Sequence, residues 1–385
     1  MAELLSPAGD YECFEAAVDY GCDAVYIGGP LLQLRAEKSA FTEENIDSAV
    51  KLLHSKNKKL YVTVNSFTKN SEIEPLKDYA RTLYGLGGDA VIVADLGAVR
   101  TIKQAAPNLE VHISTQANCC NYSAALAYYE MGASRIVVAR EMTIDEIAEM
   151  HAKIPEELEL EAFVHGAMCM AYSGRCLISS YMNGRSGNRG ECTQPCRWNY
   201  IIYEEKRPDL PIPIEQTELG TFIMSSKDMC TVEHIPELIR AGINSFKIEG
   251  RMKSAYYTAV VTNAYRMAMD AYLSDPEGYK FDPAWYRELE SVSHREYGTG
   301  FYFDNPMGNP QLVSECGYMR EKAYFSTAIE YDEAEAQALA ANGVARENEQ
   351  GKLYRFIQRN KVSAGEGAEL ISPGKIGRGF AVAEL

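Results

Sequence analysis

Along the first 275 residues the apolar positions alternate between two spacings. A short β-rich run is followed by a turn and then by a longer amphipathic segment. The runs are ELLSPA (3–8), DAVYIGG (23–29), KLYVTVNSF (59–67), DAVIVAD (89–95), EVHISTQAN (110–118), RIVVAR (135–140), LELEAFVHG (158–166) and NSFKIEG (244–250). Several are continuous apolar, β-branched stretches, the pattern of parallel strands covered on both faces. Between them, segments such as EENIDSAVKLLHSK (43–56) and IEPLKDYARTLYGLG (73–87) place apolar residues at helical spacing, the second ending in glycine. Eight such alternations predict an α/β fold, a (β/α)8 TIM-type barrel over residues 1–275. The alternative is an open doubly wound sheet, but the first loop, Ser6-Pro7-Ala8-Gly9-Asp10, lacks its G-x-G-x-x-G pattern.

In a barrel the carboxyl ends of the strands face the reactive mouth. Those ends carry Gly28, Gly29, Asn65, Asp95, Gln116, Asn118, Arg140, His165, and Glu249 with Arg251. Asp95 and Asn118 equally suit helix N-caps. The rhythm breaks twice. Residues 167–220 form a long cysteine-rich insertion after the seventh strand, where a short loop would serve. Residues 276–322 read as a linker and helical extension, with PAWYRELESVSH (283–294) as its helix. Residues 323–385 read as a small β domain, and its last strand-like run, GFAVAEL, reaches the end of the chain, which leaves its completeness open.

The 385 residues, 46% hydrophobic and 24% charged, suit a globular barrel with an appendage. The start, MAELLSPAGDYE, has neither a basic flank nor a long apolar run, and no stretch approaches the roughly 18 apolar residues of a membrane helix. A soluble, cytoplasmic protein is therefore expected. Ten cysteines without an export signal then suggest metal or redox chemistry rather than disulfides. A net charge of −16 argues against non-specific coating of nucleic acid, so any RNA contact needs a local basic patch.

The insertion supplies such a patch within HGAMCMAYSGRCLISSYMNGRSGNRGECTQPCRW (165–198). Its cysteines, Cys169, Cys176, Cys192 and Cys196, are spaced C-x6-C-x15-C-x3-C. Thiolates are soft ligands for iron–sulfur clusters or zinc. The wide first gap favours a cluster over the close pairs of structural zinc, though spacing does not exclude zinc. Cys230 is the alternative fourth ligand; Cys13, Cys22 and Cys316 read as buried thiols, and Cys119 and Cys120 fall near the mouth. Arg175, Arg185, Arg189 and Arg197 stand against one acid, Glu191, and suit RNA phosphates or the charge of a thiolate cluster. Tyr172 and Trp198 could stack on a base that has left its own stack. His165, four residues before Cys169, is a candidate proton donor, cluster neighbour or general base, or a histidine that merely hydrogen-bonds in the mouth.

EAFVHGAMCMAYSGRCLIS closely resembles the signature of peptidase family U32, and ELLSPAGD, DAVYIGG and SFKIEGRMKS match that family as well, so that the resemblance reaches about residue 375. The family name implies a protease. Its RNA-acting branches imply instead an oxygen-independent hydroxylase with a 4Fe–4S cluster and prephenate as hydroxyl source. With its ECTQPCRW ending, the chain is most similar to the branch that forms 5-hydroxyuridine at the tRNA wobble position. The resemblance implies Cys169, Cys176, Cys192 and Cys196 as cluster ligands; a member of a third branch, acting on ubiquinone precursors, replaces the last with a later cysteine, which keeps Cys230 in reserve. The implied partners are tRNA, prephenate, and a paralogue or second copy. Adding a hydroxyl to a pyrimidine is a two-electron oxidation and needs a redox cofactor.

The candidate catalytic residues are His165, Lys247 and Glu249. Arg35, Asn65, Gln116, Asn118, Arg140, Tyr172 and Arg251 are the candidates for holding substrate, the arginines because guanidinium forks match carboxylates. Lys247 and Arg251, which flank Glu249, could instead belong to an internal salt-bridge network around the barrel rim. A protease reading has weaker support: H-E-x-x-H and G-x-S-x-G are absent, and the six histidines (54, 112, 151, 165, 234, 294) form no spaced metal pair. A Cys169–His165 pair is conceivable, but a cluster-bound thiolate cannot also attack a peptide. A third reading is an accessory subunit whose cluster is structural.

Overall fold

The structure, a computed structural model, describes residues 2–34, 41–169, 171–198, 203–204, 207–211, 226–303, 318–330, 334 and 354–383. Arg35 and Cys316 lie outside the described residues. All eight barrel strands form where the apolar runs place them: β1 (Glu3–Ala8), β2 (Ala24–Gly28), β3 (Lys59–Val64), β4 (Ala90–Val93), β5 (Glu110–Ile113), β6 (Arg135–Val137), β7 (Glu159–Ala167) and, after the insertion, β11 (Ser245–Ile248). Neighbours pair in parallel from β1 round to β7; β11 pairs with both β7 and β1 and closes the barrel.

The connecting helices are α1 (Tyr11–Asp19), α2 (Glu43–Ser55), α3 (Ile73–Gly85), α4 (Leu96–Ala105), α5 (Tyr122–Glu130), α6 (Ile144–His151), α8 (Ile235–Arg240) and α9 (Ala255–Ser274). Most start on a side chain that accepts an otherwise orphaned backbone N–H: Asp10, Thr42, Asp95, Asn121, Thr143 and Ser254. Asp95 is thus a cap. Asn118 is not: it closes a 3-10 turn in the left-handed region at φ 57°, and Asn121 caps α5.

Because side chains alternate across a strand, every second residue enters the barrel. Leu5, Ala24, Tyr26, Tyr61, Ala90 and Ile92 form one buried cluster. Alongside runs a chain of buried charges: Arg135 lies 2.6 Å from Glu3 and 3.2 Å from Glu161, and Lys247 lies 2.6 Å from Glu161. Charges so deep persist only when paired.

The insertion contains the short helix α7 (Ile178–Asn183) and the antiparallel pair β8 (Tyr203–Glu204) and β9 (Arg207–Pro211). It returns through β10 (Asp228–Cys230), which runs antiparallel to the end of β7 and parallel to β12 (Tyr297–Gly298). The extension after α9 belongs to the same compact unit: α10 (Pro283–Glu290) buries Trp285 and Leu289, and buried Arg295 reaches back to Asp228 on β10 at 2.6 Å. That unit comprises residues 1–319 and 372–376; a second comprises 320–371 and 377–385. Its strands are β13 (Ser326–Glu330) antiparallel to β14 (Tyr354–Gln358), and β15 (Gly367–Ser372) paired with β16 (Lys375–Ala381). No helix among the described residues is long and apolar enough to cross a membrane.

Candidate active site at the mouth of the barrel

An open cavity of about 510 Å3 occupies the carboxyl end of the barrel. Its wall includes Tyr26, Thr63, Asn65, Gln116, Arg140 and Phe163, with Lys247, Glu249 and Arg251 on the side of β11. The positions follow from strand period: Lys247, Glu249 and Arg251 recur every second residue as the chain leaves β11. The Arg140 guanidinium stacks 3.9 Å from the centre of the Phe163 ring, donates to the Ala167 carbonyl at 3.2 Å and lies 4.0 Å from the Glu249 carboxylate. Arg251 donates to Gln33 at 3.2 Å and Thr63 at 3.0 Å. Tyr26 donates to the Ile248 carbonyl at 2.9 Å and approaches Glu249 at 3.4 Å.

Three buried polar atoms of this wall, Asn65 Oδ1, Gln116 Oε1 and Arg140 Nε, have no hydrogen-bond partner among the described residues. Buried polar atoms are almost always paired. Several orphans around one cavity mark it as shaped for a polar ligand.

The insertion is tied over this opening by contacts to three strand-end loops. Arg175 Nε donates to the Gln116 carbonyl at 2.6 Å, and Asn118 Nδ2 donates to the Tyr172 carbonyl at 3.2 Å. Ser173 is bonded to Glu141 through both its N–H and its hydroxyl. After β3, Phe67 N–H donates to Asn188, and Arg189 donates to the Phe67 carbonyl and pairs with Glu72 at 2.6 Å.

Nine described cysteines are free thiols. Cys196 is half-buried, which raises its pKa; Arg197 opposes the rise, and Cys169, Cys192 and Cys176 add to it, so each of these three thiols acts electrostatically on Cys196. No three His, Cys, Asp or Glu side chains among the described residues close into coordination geometry. The donor set fits a thiolate-held cluster in its chemistry alone: four free thiols on one insertion, with the cation Arg197 next to Cys196. Cys230 is placed elsewhere, on β10 opposite His165 of β7, where burial pushes its pKa up to about 12 and Tyr265 is a hydrogen-bond partner. Cys13 and Cys22 are buried, as their sequence context predicts.

His165 does not line the cavity. A register shift between β7 and β11 turns it into a closed box, its ring 5.3 Å from Tyr297, 5.5 Å from Tyr265 and 6.0 Å from Tyr257. Burial lowers its pKa to about 3, so the ring is neutral at ordinary pH. Lys247 reaches the cavity but is fully buried and bonded to Glu161 at 2.6 Å; burial lowers its pKa and Glu161 opposes that. Lys247 thus takes part in an internal salt bridge, with Glu161 as its acid.

Of the arginines proposed for RNA, Arg189 is engaged with Glu72 and fastens the loop; Arg175 and Arg185 are exposed, and Arg197 donates to Gln194 and to the Tyr318 hydroxyl at 2.7 Å. Tyr172 and Trp198 are exposed, and the Tyr172 hydroxyl lies 3.1 Å from Cys120 Sγ. Sequence reasoning missed Tyr26, Gln33, Thr63 and Phe163. Period two along β2, β3 and β7 was the available signal for three of them, whereas Gln33 lies in an irregular loop.

Fold and site together define a TIM-type barrel enzyme scaffold whose open end is roofed by a thiol-rich insertion. The chain belongs to peptidase family U32, whose sequence model it matches over residues 9–311. It is 40% identical to tRNA hydroxylation protein P1 of Bacillus subtilis over 86% of this chain and 78% of that protein. It is 33% identical to tRNA hydroxylation protein P of Escherichia coli, over 96% and 86% respectively. It is also 41% identical to an uncharacterized protease of Methanocaldococcus jannaschii, over 79% and 73%.

Proposed function

We propose that this protein is an RNA-modifying enzyme that hydroxylates a pyrimidine, forming 5-hydroxyuridine at the tRNA wobble position, with prephenate as hydroxyl source and a 4Fe–4S cluster held by Cys169, Cys176, Cys192 and Cys196. RNA hydroxylation is supported by relatives named for tRNA hydroxylation over most of the chain. The observation that carries the site assignment is the set of three unpartnered buried polar atoms in the cavity wall, next to a loop bearing four free thiols. When bound, the cluster would supply the electron transfer that side chains cannot.

The chain's own residues supply binding and orientation. Arg140, with Nε unpartnered and its plane fixed on Phe163, is preorganised to hold a carboxylate. Arg251, set by Gln33 and Thr63, presents a second cation for a dicarboxylate such as prephenate. Glu249 between them orders the cationic wall and can accept a substrate hydroxyl proton. Asn65 and Gln116 offer amides to the remaining polar edges, and the insertion restricts water above them. His165, neutral and enclosed by tyrosines, supports β7 rather than moving a proton at the mouth.

The family name and the protease names of two relatives would suggest a peptidase, but no histidine lines the cavity among the described residues to activate a nucleophile. Anaerobic purification followed by absorption spectroscopy and iron and sulfide analysis tests the cofactor; a colourless zinc protein would overturn it. Nucleoside mass spectrometry of tRNA from a deletion strain tests the reaction, with loss of 5-hydroxyuridine derivatives expected and an unchanged profile counting against it.

A further inference from the structure

The helix α7 is inside out. It sits between Cys176 and Cys192, and its polar side faces the protein: Ser179, 3% exposed, meets Thr193 hydroxyl to hydroxyl at 3.2 Å, and Asn183 donates to Thr193 at 2.5 Å. Its apolar side faces outward, with Leu177 73%, Tyr181 88% and Met182 45% exposed. Tyr181 N–H donates to the Leu177 carbonyl at 2.8 Å, which places these two side chains one helical turn apart on one face. A short amphipathic helix normally buries this side. Contiguous exposed apolar groups beside a functional loop mark a contact surface.

Charge selects the occupant. Exposed Arg175 and Arg185 flank α7 in a chain whose net charge is −16. Glu191 is the only acid between residues 171 and 198, so the segment around α7 is locally basic and carries planar and apolar side chains, with Glu72 and Glu141 reaching it from other loops at Arg189 and Ser173. Six residues make a helix roughly 9 Å long, too small to anchor the ~800 Å2 per partner of a standard protein interface. Basic charge interleaved with an exposed aromatic ring is the combination that holds single-stranded nucleic acid, since phosphates meet the guanidinium groups and a base stacks on the ring.

We infer that the outward face of α7 is a stacking platform for an unpaired base of the RNA substrate, with Tyr181 as the platform, Leu177 and Met182 as its apolar border, and Arg175 and Arg185 as phosphate contacts. The inference rests on the RNA reading above and adds to it an anchoring point outside the barrel mouth. A platform between two cysteines of the roof holds a neighbouring nucleotide while the target base enters the cavity.

The test is fluorescence anisotropy of the full chain, purified anaerobically, with a labelled RNA stem-loop, comparing Tyr181→Ala, Tyr181→Phe and Tyr181→Leu. Tyr181 is almost wholly exposed, so truncation leaves the thermal melt unchanged. The expected result is a Kd weakened about tenfold by alanine and by leucine and retained by phenylalanine, the pattern of one lost base–aromatic stack. Wild-type affinity in the alanine variant overturns the inference while leaving the RNA reading intact. Wild-type affinity in the leucine variant overturns it too, because an aliphatic residue cannot stack. Dissociation of a self-associated species by alanine, with RNA affinity unchanged, reassigns the face to a protein partner. Absence of any RNA binding by the wild-type chain sinks the RNA reading and the platform with it.

Discussion

Replacing Asp228 by asparagine probes the joint that returns the cysteine insertion to the barrel. Asp228 is 2% exposed and Arg295 1%. The carboxylate accepts from Arg295 Nε at 2.9 Å, from Nη2 at 2.6 Å, and from the Arg295 backbone N–H at 3.2 Å. Asparagine keeps the shape and one acceptor but removes the negative charge that faces the buried Arg295 guanidinium. Removing one member of a buried pair costs about 3–5 kcal/mol, and the retained acceptor places this case near about 3 kcal/mol. Urea unfolding followed by tryptophan fluorescence measures it, because Trp198 and Trp285 both lie in the barrel unit. Pairing Asp228→Leu with Arg295→Met should recover part of the loss, since neither partner of the pair remains charged while Lys253 still loses its counter-charge.

The acid limb adds a second readout. Burial works to raise the Asp228 carboxyl pKa, but Arg295 and Lys253 together outweigh it and hold the pKa below its ordinary value. A depressed folded pKa contributes stability above the unfolded value of about 4, and that contribution is lost as pH falls through the folded value. The asparagine variant should lose this part of the acid dependence. A loss under about 1 kcal/mol, or an unchanged acid limb, would refute the account of this joint.

Arg140→Met keeps contact with Phe163 and removes the cation; isothermal titration with prephenate should show binding weakened roughly 10- to 100-fold, the range of a charged hydrogen bond. Cys196→Ser should lower iron per chain in anaerobically purified protein, whereas Cys230→Ser, on β10 beside Tyr265, should leave it unchanged. Gly166→Ala should destabilise the protein by about 2 kcal/mol or more: φ is +107°, and the added Cβ would lie 2.3 Å from the Glu249 carbonyl oxygen. Its thermal melt and its prephenate affinity should fall together, because the displaced residue is part of the cavity wall.

The sequence by itself determined the barrel. Parallel strands covered on both faces read as continuous apolar runs, so all eight were visible with their order, and of the two helix caps offered Asp95 is one while Asn118 is not. It also determined that four thiols and a set of arginines share one loop after β7, and it offered ten strand-end candidates, of which Asn65, Gln116, Arg140, Glu249 and Arg251 line the mouth while Asp95, Asn118 and His165 do not. These are local properties, encoded within one element by its period or within one loop by its composition.

Partners across the chain were decided only by tertiary structure. Glu161 and Lys247 are 86 residues apart, Asp228 and Arg295 are 67, and Glu72 and Arg189 are 117. Closing the barrel and laying the insertion over it chose these pairs, and the third of them converted a candidate RNA contact into a fastening. His165 shows the same limit: its strand was legible, but the register shift beside Gly166 turned its ring from the mouth into a box of tyrosines. A bulge changes which face a side chain takes without altering the apolar period that reveals the strand, so the sequence shows the element and only the folded sheet shows where the residue points.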